Sequence, residues 1–129
     1  IKVNSSGPYS HANSATTEYC NTNITVSFDE AMSTSSVSVN TSNSSCDTGS
    51  IQVTSNNFTT NSCIEMDNVT PSNSNKTFTL YPANDLSNST TFKIKVTTAV
   101  KDTNGNPMSS DNTTGTGFST SGDSGKNGC

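Results

Sequence analysis

Asp102, Asn104 and Asn106 place side-chain oxygens at alternate positions of one tight loop, Lys101-Asp102-Thr103-Asn104-Gly105-Asn106-Pro107. Calcium loops wrap a hard cation with alternating oxygen ligands of this kind. A helix–loop–helix calcium site also needs a bidentate Glu further on, and no Glu follows Asp102 here. The competing reading is a turn shaped by its own residues. Asp bonds the backbone two residues on, Asn and Gly tolerate positive φ, and Pro ends the ladder. The turn is the stronger reading, and calcium is kept as the weaker candidate.

The other reactive side chains form no catalytic set. A nucleophilic Ser needs an adjacent base. The sole histidine, His11, lies in a featureless polar run. Paired carboxylates for glycoside chemistry would have to come from Glu18, Asp29, Glu30 or Asp67, and none adjoins an apolar run that reads as a pocket lining. Sugar-binding surfaces usually present aromatics, and only Tyr9, Tyr19 and Tyr81 are placed to do so. Lys2 and Lys95 are the lysines considered for an intramolecular isopeptide crosslink. No enzyme activity and no cofactor is expected.

Nine Asn-x-Ser/Thr sequences occur, at Asn4, Asn23, Asn40, Asn43, Asn57, Asn68, Asn75, Asn88 and Asn112. A chain so rich in Asn, Ser and Thr produces most of these by chance. Asn43, Asn68 and Asn112, read as loop positions, are the acceptors expected if the host glycosylates. Cys20, Cys46, Cys63 and Cys129 contain no C-x-x-C pair of the kind zinc sites use. Four Cys in a small acidic chain suggest disulfides and an oxidising compartment.

The elements that must position these groups are strands. Of 129 residues, 27% are apolar and 12% charged, with a net charge of −4. Disorder usually brings high net charge as well as low apolar content. Here the apolar residues cluster in alternation, which predicts a thin two-layer β core under a Thr-rich surface. All cations are Lys, whereas bidentate phosphate recognition favours Arg. The isoelectric point of about 4.6 also disfavours nucleic acid and anionic membranes. No apolar run approaches the roughly 18 residues that span a bilayer. A first residue Ile1 rather than Met suggests a processed chain or a piece of a longer one.

In chain order, Ile1-Lys2-Val3 opens a first edge strand that Ser5-Ser6-Gly7-Pro8 ends, and residues 9–21 form a polar loop. Thr22 to Phe28 alternates Ile24, Val26 and Phe28 against Thr25 and Ser27. A turn follows that tucks Met32 under the sheet. Val37 and Val39 mark a third strand. Asn40 to Gly49 is a polar loop, Ser50 to Thr54 a fourth strand, and Cys63 to Met66 a fifth. Phe58 is expected to pack inward. Lys76 to Tyr81 alternates Phe78 and Leu80 against Thr, and Leu86 plugs the core end. Phe92, Ile94 and Val96 alternate with Lys93, Lys95 and Thr97, so this strand ends at the Asp102 loop and its successor runs back antiparallel. Thr114 to Ser121 is the last strand, and residues 122–129 form a Gly-rich tail. The sum is an all-β, antiparallel sandwich of seven to eight strands in a single domain, with residues 22–121 as its body.

Four stretches resemble the bacterial immunoglobulin-like domains of surface-layer and other cell-surface proteins. They are Asn21-Thr22-Asn23-Ile24-Thr25-Val26-Ser27-Phe28-Asp29-Glu30-Ala31-Met32, then Leu86 with Thr90, Phe92, Ile94 and Val96. Next come Val100-Lys101-Asp102 with Gly105, Asn106 and Met108, and finally Phe118 with Thr120. The resemblance runs from about Ile1 to Ser121 in the family order. The extra Cys and the Asn40–Gly49 loop depart from simpler members. It implies an immunoglobulin-like β-sandwich serving as a non-enzymatic extracellular structural unit of a layer, stalk or filament. Its partners would be other copies or neighbouring domains. In such a sandwich the expected pairs are Cys46–Cys63 and Cys20–Cys129, with a crosslink from Cys129 to another molecule as the rival. An adhesin that binds a glycan or host protein through its loops is the alternative function.

Overall fold

The computed structural model describes residues 1–8 and 19–122. Two antiparallel sheets share one core. The first runs in the order β1 (Val3–Pro8), β2 (Ile24–Phe28), β5 (Thr77–Pro82) and β4 (Met66–Ser72). In the second, β3 (Ile51–Thr54) pairs with β6 (Thr91–Val96). The other side of β6 takes two short pieces, β7 (Asn112–Thr113) and β8 (Phe118–Ser119). This is the all-β, eight-stranded sandwich that the alternation predicts.

The core is built by that alternation. In β2 every second residue, Ile24, Val26 and Phe28, is buried while Thr25 and Ser27 are half-buried. Antiparallel register sets Val26 opposite Phe78 and Ile24 opposite Leu80 on β5. In the second sheet Val53 faces Ile94 and Ile51 faces Val96. Phe28 and Phe78 meet edge to face with centroids 5.9 Å apart, and Phe92 stacks on Phe118 at 5.6 Å. Burying each such side chain contributes about 1.5–3 kcal/mol. A core of small cross-section depends on every one.

The ends are closed by single residues. Met32, Val100 and Met108 are buried at the end that carries the Asp102 turn, and Leu86 is buried in the cluster as expected. The Met32 N–H donates to the Asn75 carbonyl in the β4–β5 turn (2.9 Å), while Met32 also forms a β-bridge to Asp102. One residue thus ties the first sheet to the turn that follows β6.

Several elements differ from the sequence expectation. The first strand continues through Ser5, Ser6 and Gly7 to Pro8, because pairing with β2 satisfies its backbone whatever its side chains are. No third strand forms at Val37 and Val39. Ser33 to Ser36 instead turns into a single 3-10 turn, in which the Ser36 hydroxyl bonds the Ser33 carbonyl at 2.7 Å. This local bonding competes with a ladder. The strand expected at Cys63–Met66 begins only at Met66 and runs to Ser72. The last strand, expected over Thr114 to Ser121, forms only as β8 (Phe118–Ser119), while β7 (Asn112–Thr113) precedes that range. Between them Gly117, at φ 78°, lies so close to the Phe92 carbonyl that a Cβ would clash with it. Phe58 is not a core residue. It is half-buried with a left-handed φ of 59°, and the Lys95 ammonium sits 4.5 Å from its ring centroid. The readings made for His11, Tyr9, Glu18 and Cys129, for most of the 9–21 loop and for most of the tail fall outside the described residues.

Truncating Phe78 to Ala should destabilise the domain by about 3–5 kcal/mol, read from the urea midpoint. The exposed Asp67→Asn should stay within about 0.5 kcal/mol of the parent. Equal effects at the two positions would contradict this packing.

Candidate functional site

The Asp102 loop is the place where the sequence puts its densest oxygen cluster. It begins where the chain leaves β6, and Gly105 at φ 84° lets it double back. Lys101 bridges Pro107, the Asp102 N–H donates to the Asn106 carbonyl (3.0 Å), and the Gly105 N–H donates to the Asp102 carbonyl (3.1 Å). The carboxylate of Asp102 faces inward over its own turn. Its Oδ1 accepts from the backbone N–H of Asn104 and of Asn106, both at 2.9 Å. Its Oδ2 accepts from the Asn106 side-chain amide nitrogen at 3.2 Å.

In this geometry the turn is closed by its own donors. Asn106 turns its NH2, not its carbonyl oxygen, toward Asp102. The three donors stabilise the carboxylate as an anion. The Asn106 backbone N–H leads in lowering its pKa below the ordinary value; burial opposes it, and the Asn104 N–H, the Asn106 amide and a hydrogen bond with the Glu30 side chain assist. Among the described residues no group of three or more His, Cys, Asp or Glu side chains placed to hold a metal comes together. The same turn is clamped from outside by the 3-10 segment. Ser33 N–H donates to the Lys101 carbonyl (2.9 Å), and the Lys101 N–H donates to the Ser36 hydroxyl (2.8 Å).

The second constellation is the disulfide. Cys46 and Cys63 are joined, with Cα atoms 5.3 Å apart, as expected from the resemblance. The bond staples the Asn40–Gly49 loop to the segment that leads into β4. Around it the Cys63 N–H donates to Ser44 O (3.0 Å), and the Asn40 side chain donates to Asn43 O (2.9 Å) and Ile64 O (3.0 Å). This assembly covers the outer edge of β3. Ser38 O accepts from Ser50 and Ile51, Ile64 N–H donates to Val53 O (2.7 Å), and Thr54 bridges Cys63. All four residues of β3 are buried as a result. Cys20 is buried and no described cysteine is free. Its expected partner, Cys129, lies outside the described residues.

The remaining candidates scatter. The Asp29 carboxylate accepts from the Lys2 backbone N–H at 2.9 Å, and Glu30 lies 3.6 Å from the N-terminal ammonium. Both bind the first strand down. Asp67 is exposed on β4. Tyr81 is half-buried, and its hydroxyl accepts from the Thr70 hydroxyl (3.3 Å). Tyr19 is the one large apolar side chain exposed among the described residues. Of the sequons, Asn40 is buried. Asn43 lies in a loop, as expected, with its amide nitrogen bonded to Thr41 O (3.1 Å). Asn68 and Asn112 are not loop residues. They lie in β4 and β7, where no apolar alternation marks a strand.

A family model described as a bacterial Ig-like domain matches residues 1–120. No curated protein matches the chain. Among solved structures, the chain is similar to the surface layer protein SbsC, domains 1-6, with a TM-score of 0.53 and 17% identity over 84% of this chain. It is also similar to the N-terminal part of the bacterial S-layer protein SbsC, with a TM-score of 0.54 and 16% identity over 91% of this chain. The likeness spans only 13% and 24% of those chains, and at such identity it shows the fold.

The depressed pKa of Asp102 means that its contribution is present above the unfolded-state value and is lost as pH falls through the folded one. Asp102→Asn should therefore melt below the parent at neutral pH. The gap should close on acidification below the ordinary carboxylate value of 3.8; a gap that persists in acid would contradict the role of the charge. Added calcium should leave the parent's melting temperature unchanged, and a rise would restore the cation reading. Replacing Cys46 and Cys63 together by Ala, across a separation of 17 residues, should lose on the order of 3 kcal/mol of unfolding free energy in urea.

Proposed function

The chain belongs to the bacterial immunoglobulin-like domain family, and from that premise we propose that it is a non-enzymatic extracellular structural unit. In this reading it builds a cell-surface layer, stalk or filament through contacts with neighbouring copies or with neighbouring domains of one surface protein. The observation that carries the reading is how the charged groups are used. Asp29 holds the first strand, and Asp102 is held by its own turn with the Glu30 side chain hydrogen-bonded to its carboxyl. These groups hold the scaffold and do not converge on a cleft.

Four further features support it. The Cys46–Cys63 disulfide suits an oxidising, extracytoplasmic setting. The family match covers nearly the whole chain. The solved structures with this fold come from a surface layer protein. A low-charge, Ser/Thr/Asn-rich surface lets copies approach with little electrostatic repulsion. A second disulfide, Cys20–Cys129, is part of the proposal.

Sedimentation equilibrium of the purified chain should show concentration-dependent association into ordered polymers visible by negative-stain microscopy. A strict monomer that binds saturably on a glycan array would overturn the reading in favour of an adhesin. Proteolytic mapping without reduction should release a Cys20–Cys129 peptide; a Cys46–Cys129 peptide would overturn both pairings.

A further inference from the structure

Asn is depleted in β-strands, because its side chain bonds its own backbone and favours turns. Central strands β2 and β5, the shared strand β6 and the covered strand β3 contain none. Yet one Asn lies in each of β1, β4 and β7, namely Asn4, Asn68 and Asn112. Those strands form the open margins of the two sheets. β8 shares the β7 side of β6 and carries no Asn, Thr41 bridges the start of β4 at Met66, and the β3 margin is closed by the disulfide-stapled loop. All three Asn are exposed, and each begins an Asn-x-Ser/Thr sequence.

The amides of these three are also chemically available. The side-chain amides of Asn4, Asn68 and Asn112 bond no described residue, which they share with the exposed sequon residues Asn57, Asn75 and Asn88, whereas the amide nitrogens of Asn40 and Asn43 are engaged. Asn4 falls at the register shift of β1, outside the regular ladder. Asn4 and Asn112 face the same opening between the sheets, a cleft of about 320 Å³ bounded by Val3–Ser6 and Asn112–Gly115. Pro8 and Pro71 stand in two of the same margins, and proline is one of the usual devices for blunting an edge.

We propose that Asn4, Asn68 and Asn112 are N-glycosylation sites whose glycans guard the open sheet edges against strand addition. In the transfer step the Asn Nδ2 forms a bond to the anomeric carbon of a lipid-pyrophosphate-linked oligosaccharide. The carbon–oxygen bond to pyrophosphate breaks, the lipid pyrophosphate leaves with the electron pair, and a base on the transferase takes one amide proton. The glycans on Asn4 and Asn112 cover the cleft between the sheets, and the glycan on Asn68 covers the β4 margin. Neighbour contacts then fall on the sheet faces and domain ends. The proposal rests on the surface-unit reading only in requiring export.

The test is glycopeptide mass spectrometry on protein purified from its native source, followed by enzymatic deglycosylation and sedimentation. The expected result is glycan on at least two of Asn4, Asn68 and Asn112, none on Asn40, and a shift to larger irregular species once the glycans are removed. An unmodified chain would overturn the proposal, as would glycan on fewer than two of the three or an unchanged sedimentation profile after deglycosylation. The triple variant N4Q/N68Q/N112Q from the same source should keep the parent's melting temperature while showing the same shift; unchanged association in that folded variant would also overturn it. Failure of the surface-unit reading would instead show as absent ordered polymers, whatever the glycan map.

Discussion

A core one side chain thick per sheet is the constraint on which everything else depends. Phe28 and Phe78 from one sheet, with Phe92 and Phe118 from the other, are its four largest fully buried side chains. With only 27% of residues apolar, little hydrophobic surface is left over to seal ends or edges. Those jobs fall to polar chemistry. Asp102 closes one end through three N–H donors. At the other end Thr120 holds the last strand against Thr90 and Ser87. A disulfide holds the loop over β3. Each device confines a backbone segment whose own apolar burial is too small to offset its conformational entropy.

The same constraint explains which parts of the fold were legible in the sequence. β2, β5 and β6 pair on both sides and bury one full face, so Ile24/Val26/Phe28, Phe78/Leu80 and Phe92/Ile94/Val96 alternate cleanly. The margins behave otherwise. β4 reads Met-Asp-Asn-Val-Thr-Pro-Ser, and β1 runs through Ser-Ser-Gly-Pro. Their partners impose strand geometry, and solvent allows polar side chains, so no period-two signal survives. The apolar pair Val37 and Val39 misleads for the opposite reason. It alternates, but its backbone spends its bonds on a Ser-rich turn and on Ser50 and Ile51.

The candidate site was legible in part. Asp, Asn and Gly at the spacing of Asp102 to Asn106 announce a turn, and the structure has one. What spacing does not carry is the direction of an amide. Asn106 presents its amide nitrogen to Asp102, a direction that no spacing announces. The sequons show the complementary case. Their number follows from composition, whereas the placing of three on open margins emerges only from the topology.

On the proposals made above, the domain joins its neighbours by faces and ends, and glycans cover its open sheet margins. High-resolution electron microscopy of native assemblies tests this most directly. The account predicts copies in contact through sheet faces or domain ends, with branched density at Asn4, Asn68 and Asn112. A map in which a strand of one copy adds to β1, β4 or β7 of another would contradict it.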